Sequence, residues 1–95
     1  MNANLSHWTL DPDIIFLNHG SFGACPRTTL ERQSELRAEL EASPVRFLHR
    51  EYPDRLDEAR GELARFLGTD PAGLAFVPNA TTGVNTVLRL SLIHI

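Results

Sequence analysis

Residues 78–83 read Pro-Asn-Ala-Thr-Thr-Gly and stand between the apolar run Leu74–Val77 and a segment that repeats Val84, Val87 and Leu88 at helical spacing. The spacing predicts a short strand that breaks at Pro78 and restarts near Thr81 as a helix. The first backbone N–H groups of a helix have no intrahelical acceptor, and the aligned peptide dipoles put roughly half a positive charge there. Small residues and two hydroxyls at such a place suit a phosphate or another anion. Asn79 or Thr81 acting simply as a helix cap is the commoner use of these residue types, and the pattern alone does not separate the two. A second polar cluster, Asn18-His19-Gly20-Ser21-Phe22-Gly23, precedes Ala24-Cys25-Pro26. Two glycines, an Asn and a Ser there predict a structured loop, with His19 and Ser21 as candidate ligand contacts or plain turn formers. All nine basic residues are arginine. With no lysine, no side chain of this chain can form a Schiff base, although a gene rich in G and C would produce the same bias.

These groups need elements to hold them. "IIFL", 14–17, is a short β-branched and aromatic run and reads as a brief strand or extended segment. Pro26 suits the first turn of a helix, and "RTTLERQSELRAELEAS" continues it with Leu30, Leu36 and Leu40 as its apolar stripe. That helix should stop at or before Ser43, because Pro44 disfavours helical backbone in the residue ahead of it. "VRFLHREY" reads as a short helical or irregular connector. A second helix follows over "PDRLDEARGELARFLG", with Pro53 at its start, Asp54 in its first turn and Gly68 as its C-terminal cap. Leu56, Ala59, Leu63, Phe66 and Leu67 mark the face it should bury, and Gly61 is tolerable there if a neighbouring helix packs closely. "LAFV", 74–77, lacks alternation, as expected of a strand covered on both faces. No repeat or low-complexity segment is present.

A 95-residue chain is long enough for one small, marginal domain, or for part of a larger one. A net charge of −3 gives no basic field for nucleic acid or anionic lipid. The single Cys25 cannot pair internally, the N-terminus lacks the pattern of a secretion signal, and no apolar run reaches bilayer length, so a cytoplasmic setting is expected. Cys25 is a candidate thiol ahead of a helix, but buried structural cysteine is the more frequent role. His7 and Trp8 read as a terminal segment docked on a domain surface. Glu31, Glu35, Glu39 and Glu41 interleaved with Arg32 and Arg37 read as a solvated helix face. No metal-ligand spacing stands out.

Three ordered stretches, "FLNHGSFGACP" at 16–26, "HREY" followed by an amphipathic helix and "FLG", and "PNATTGVNTVLR" at 78–89, together resemble the N-terminal part of class V aminotransferase-like enzymes. Within that group the likeness is strongest to the isopenicillin N epimerase-like branch, and it runs from about Leu10 to Arg89. The resemblance implies an α/β fold: the N-terminal portion of the fold type I transferase architecture, helices plus a short strand leading into a large domain, incomplete in this chain. It implies pyridoxal 5'-phosphate as cofactor, held at its phosphate by Ala80, Thr81 and Thr82. Asn18, His19, Gly20 and Ser21 match the segment lining the substrate side of the pocket. Arg50 with His49 looks similar to a pair that, in related desulfurases, reaches toward the active site of the other subunit, although the residues after Arg50 depart from that pattern.

The resemblance further implies a small-molecule substrate, an amino acid or a sulfur-containing amino acid derivative, a homodimer when full length, and epimerase, lyase, desulfurase or aminotransferase chemistry. The family's catalytic lysine, its acidic partner for the pyridine nitrogen and its substrate-binding arginine have no counterpart here, so no catalytic residue is assigned and the piece itself is expected to be inactive. Residues 1–90 are expected to be the N-terminal segment and the start of the cofactor-binding domain, and 91–95, "SLIHI", a non-native tail. Two other readings stay open. One is a small helical interaction module built on residues 26–67; the other is a stand-alone phosphate binder using the 78–83 junction.

Overall fold

The structure, a computed structural model, describes residues 3–91. The chain divides into two units, Met1–Arg50 and Glu51–Ile95, each described by itself here. Of the segment expected to be a non-native tail, Ser91 ends the last helix and residues 92–95 lie outside the described residues.

The first unit opens with a 3-10 turn, Ala3–His7, closed by Trp8 N–H donating to the Leu5 carbonyl at 3.2 Å. A side-chain turn follows, in which Asp11 Oδ1 accepts from Asp13 N–H at 2.9 Å. The expected strand at 14–17 is instead irregular, with Ile15 and Leu17 nearly fully exposed. A strand needs a neighbour to take its alternate N–H and C=O groups, and none is present among the described residues. Helix α1 spans Arg27–Ala42, with Pro26 in its N-cap position, and it ends as Pro44 requires, with Ser43 as the C-cap donating to the Glu39 carbonyl at 3.3 Å. Leu36 and Leu40, four residues apart, are half-buried, whereas Leu30 is exposed. Six residues at about 100° each place Leu30 roughly 120° round the helix from Leu36, so the three leucines do not form one stripe. Arg32 pairs with Glu35 at 3.0 Å and Glu39 at 3.7 Å on the solvated face. The "VRFLHREY" connector resolves into a π-helical turn, Arg46–Glu51, which straddles the division between units.

Helix α2 spans Tyr52–Leu67 and carries Pro53 and Asp54 in its first turn, where the missing proline N–H is harmless and a carboxylate meets the positive end of the dipole. Arg55 closes on Glu51 at 3.1 Å, and Arg60–Asp57 and Arg65–Glu62 add pairs along its surface. Its end is set by Gly68, which takes the left-handed conformation at φ 69°, ψ 36°. From there Thr69 N–H reaches the Ala64 carbonyl at 3.0 Å. This satisfies carbonyls that a right-handed continuation would have used. The chain then folds back through a 3-10 turn, Pro71–Gly73, capped by Asp70 Oδ1 accepting from Ala72 N–H at 2.9 Å.

That reversal packs the turn against α2 and buries Ala64, which at 1% exposure is the only buried side chain among the described residues. The covered face of α2 therefore runs through the half-buried Arg55, Leu56, Arg60 and Gly61 to Ala64; of the expected apolar stripe Leu56 lies on it, whereas Ala59, Leu63, Phe66 and Leu67 are exposed. No atom lies within 4 Å of a Cβ built on Gly61, so the close neighbour that would make glycine useful there is absent among the described residues. Leu74 is extended at φ −108°, ψ 138°, but residues 74–77 are unpaired, so the expected strand is not formed. A strand needs a partner for its N–H and C=O groups, and none is present among the described residues. Helix α3, Ala80–Ser91, starts one residue earlier than the spacing predicts. Among the described residues no helix is long and apolar enough to cross a membrane.

Candidate functional site

Asn79 organises the junction that begins α3. Its Oδ1 accepts from Thr82 N–H at 2.8 Å, and its carbonyl accepts from Gly83 N–H at 3.2 Å. This is the N-cap arrangement, with Ala80, Thr81 and Thr82 as the first three helical residues. Asn79 thus consumes the Thr82 amide. The amides of Ala80 and Thr81 keep no intrahelical acceptor, and the hydroxyls of Thr81 and Thr82 make no hydrogen bond among the described residues. Val77 Cγ2 sits 3.4 Å from where a Gly83 Cβ would be, so the residue before the Pro-Asn pair packs on the first turn and fixes its entry angle. All three candidate phosphate residues, Ala80, Thr81 and Thr82, are exposed. Beyond them an open apolar groove of about 410 Å³ follows the helix, lined by Ala80, Gly83, Val84, Val87 and Leu88.

In the first unit Asn18, His19, Gly20 and Ser21 share one tight turn. The Asn18 carbonyl accepts from Ser21 N–H at 3.3 Å and from Phe22 N–H at 3.2 Å. A Cβ on Gly23 would stand 2.9 Å from the His19 carbonyl oxygen, closer than real Cβ contacts come, so this loop needs glycine there for space. His19 is exposed, and its ring meets Phe16 edge-to-face at 4.6 Å and 85°. Trp8 lies 6.2 Å from the same imidazole at 55°, and 6.2 Å from His7 at 79°. Arg27 Nη2, from the first residue of α1, donates to the Trp8 carbonyl at 3.3 Å. Reading Trp8 as a docked terminal residue missed these ring contacts. Neither contact of the His19 ring had a signal in the sequence, since Phe16 and His19 lie in a segment without helical periodicity and Trp8 is eleven positions from His19.

Arg50 sits near the end of the π-helical turn, is exposed, and has no hydrogen bond to residues 18–21. Cys25 is exposed, which removes the buried structural role expected for it. Among the described residues no group of three or more His, Cys, Asp or Glu side chains is arranged to hold a metal ion.

The chain is 49% identical over 78 residues to isopenicillin N epimerase of Streptomyces clavuligerus, covering 82% of this chain and 20% of that protein. It is 44% identical over 79 residues to isopenicillin N epimerase of Amycolatopsis lactamdurans, covering 83% of this chain and 20% of that one. Hercynylcysteine sulfoxide lyase of Schizosaccharomyces pombe is 30% identical over 82 residues, 86% of this chain and 21% of the lyase. The chain thus spans about a fifth of the length of the curated relatives it matches. No family description and no solved structure matches it. The relatives are enzymes, and their names describe epimerisation or lyase action on amino acid derivatives.

Proposed function

We propose that this chain is the N-terminal portion of a pyridoxal-phosphate-dependent enzyme acting on an amino acid or a sulfur-containing amino acid derivative. The observation that carries the reading is the pairing of similarity to an epimerase and a lyase over about a fifth of their length with a chain in which one side chain is buried among the described residues. Ile15, Leu17, Phe22 and Phe66 are each more than four-fifths exposed, and such faces belong against further structure, since apolar burial is the main favourable term in folding.

The residues present fit the phosphate end of the cofactor. At the start of α3 they offer two free amides, two free hydroxyls and a positive dipole end, without a bulky side chain in the first turn. Ala80, Thr81 and Thr82 would hold the phosphate, Thr82 through its hydroxyl because Asn79 occupies its amide. The bound cofactor supplies an electron sink for charge developing at the substrate Cα. The turn at 18–21 would line the substrate side, with its backbone close enough to approach a carboxylate. Arg50 would act across a homodimer interface in the full-length protein. Epimerisation, lyase action and transamination all fit this portion, since the groups that separate them are not among its residues.

The test extends the reading frame past codon 90 in the source gene and expresses the longer chain with pyridoxal phosphate. A downstream lysine, visible absorption from bound cofactor, and loss of that absorption in Thr81→Ala are the expected results. A frame that ends at Ile95, or a longer chain that leaves the cofactor unbound, overturns the proposal. The helical-module reading for residues 26–67 draws on the exposed Leu30, Leu63, Phe66 and Leu67, apolar side chains that the enzyme reading equally requires to be covered.

A further inference from the structure

We propose that Trp8 and Phe16 are positioning residues that clamp the His19 imidazole beside the 18–23 turn, where the proposed function places the substrate. The orientation of an imidazole is ordinarily set by a hydrogen bond from one ring nitrogen, which commits that nitrogen to the protein. His19 is held differently. Neither of its ring nitrogens makes a hydrogen bond among the described residues, yet the ring is fixed by two aromatic neighbours, Phe16 at 4.6 Å and 85° and Trp8 at 6.2 Å and 55°. Both geometries belong to the edge-to-face and tilted arrangements that the ring quadrupoles favour. Its backbone is fixed as well, by the Asn18 turn on one side and by the contact of its carbonyl with Gly23 on the other. Side chain and main chain are both restrained while the residue stays exposed and its ring nitrogens are uncommitted, which is the arrangement a ligand-facing histidine needs.

The clamp is itself anchored. Arg27 Nη2 ties the Trp8 carbonyl to the first residue of α1, and Trp8 Nε1 is shielded from solvent without an acceptor. An indole N–H left unsatisfied has no local reason to hold this pose, so the pose rests on ring contacts and the main-chain anchor. His7 is the other imidazole beside Trp8, 6.2 Å from the indole at 79°, and it makes no ring contact with Phe16. A role for the clamp in substrate binding rests on the proposed function; the clamp as a structural fact does not.

The test is proton NMR of the full 95-residue chain. Nuclear Overhauser contacts are expected from the His19 ring protons to the rings of both Phe16 and Trp8, with the His19 resonances displaced from those of free histidine. Phe16→Leu and Trp8→Leu should each remove most of that displacement, Trp8→Phe should restore it by keeping a ring without the N–H, and His7→Gln should leave it unchanged. Absent contacts, or a Trp8→Leu chain whose His19 resonances match the parent, overturn the clamp whatever the enzyme proves to be. The longer, cofactor-loaded protein supplies the other arm. There, addition of an amino acid should shift the His19 resonances in the parent and less so in Trp8→Leu. Ring contacts that persist with no amino-acid response would refute the ligand-facing role, and failure of that protein to bind cofactor at all would mark the proposed function as the part in error.

Discussion

Replacing Asn79 separates its two competing uses, cap and anion site. In Asn79→Ala the Thr82 amide loses its 2.8 Å acceptor, and loss of such a cap costs about 1 kcal/mol, within a range of about 0.5–2. Helix α3 is twelve residues long with Val84, Val87 and Leu88 all more than half exposed, so little tertiary packing offsets the loss. Helices of that length are marginal by themselves, and about 1 kcal/mol lowers the helix-to-coil ratio about fivefold. Asn79→Asp should do the opposite to the helix. Its carboxylate still accepts from Thr82, and a negative charge at the positive end of the dipole adds about 0.3–1 kcal/mol. It should, however, weaken phosphate binding. Unit charges roughly 5–7 Å apart in water repel by about 0.6–0.8 kcal/mol, so a phosphate carrying nearly two charges should bind about five- to tenfold less tightly at low salt. The assay is amide NMR over residues 79–91, with carbon shifts reporting helicity and an inorganic phosphate titration reporting binding. If Asn79→Ala leaves the helicity of α3 unchanged, or if Asn79→Asp binds phosphate as well as the parent, the account of this junction is wrong.

Gly68→Ala should destabilise the end of α2 by about 1–2 kcal/mol, because φ 69° strains any L residue although the space beside it is open; Gly68→Asn should lose less, as read by circular dichroism through thermal melting. Gly61→Ala should raise α2 helicity in this chain by about 0.5–1 kcal/mol, since nothing lies within 4 Å of the new methyl; a loss instead would show that a close neighbour sits there. Ala64→Leu should disrupt the packing of the Pro71–Gly73 turn on α2 at a cost of about 1–3 kcal/mol, seen as faster amide exchange at Thr69 and Gly73.

Much of the local structure was legible residue by residue. Pro44 stops α1, Pro53 and Asp54 open α2, Gly68 ends it, and the polar junction begins α3 within a residue of the expected place. Each of these signals acts through its own backbone and its nearest neighbours in sequence, so no distant contact is needed to read it. The local structure of the candidate residues was legible to the same extent: those at 18–21 do share one turn, and those at 80–82 do begin a helix. Which residue caps that helix was not, because Asn79 and Thr81 are equally eligible until the Asn79 Oδ1 is seen on the Thr82 amide.

What depended on tertiary structure went differently. Leu74–Val77 and Ile14–Leu17 have the residue types of strands but form none, because a strand exists only as a pair and pairing is decided by what lies alongside. The apolar period of α2 named Leu63 and Phe66 as core, yet the side chain that is buried is Ala64, covered when Gly68 turns the chain back over it. Sequence by itself determined where helices start and stop and which polar groups meet at their ends. Burial, strand pairing and the setting of His19 between Phe16 and Trp8 come from contacts between residues apart in the chain, and only the folded arrangement decides those.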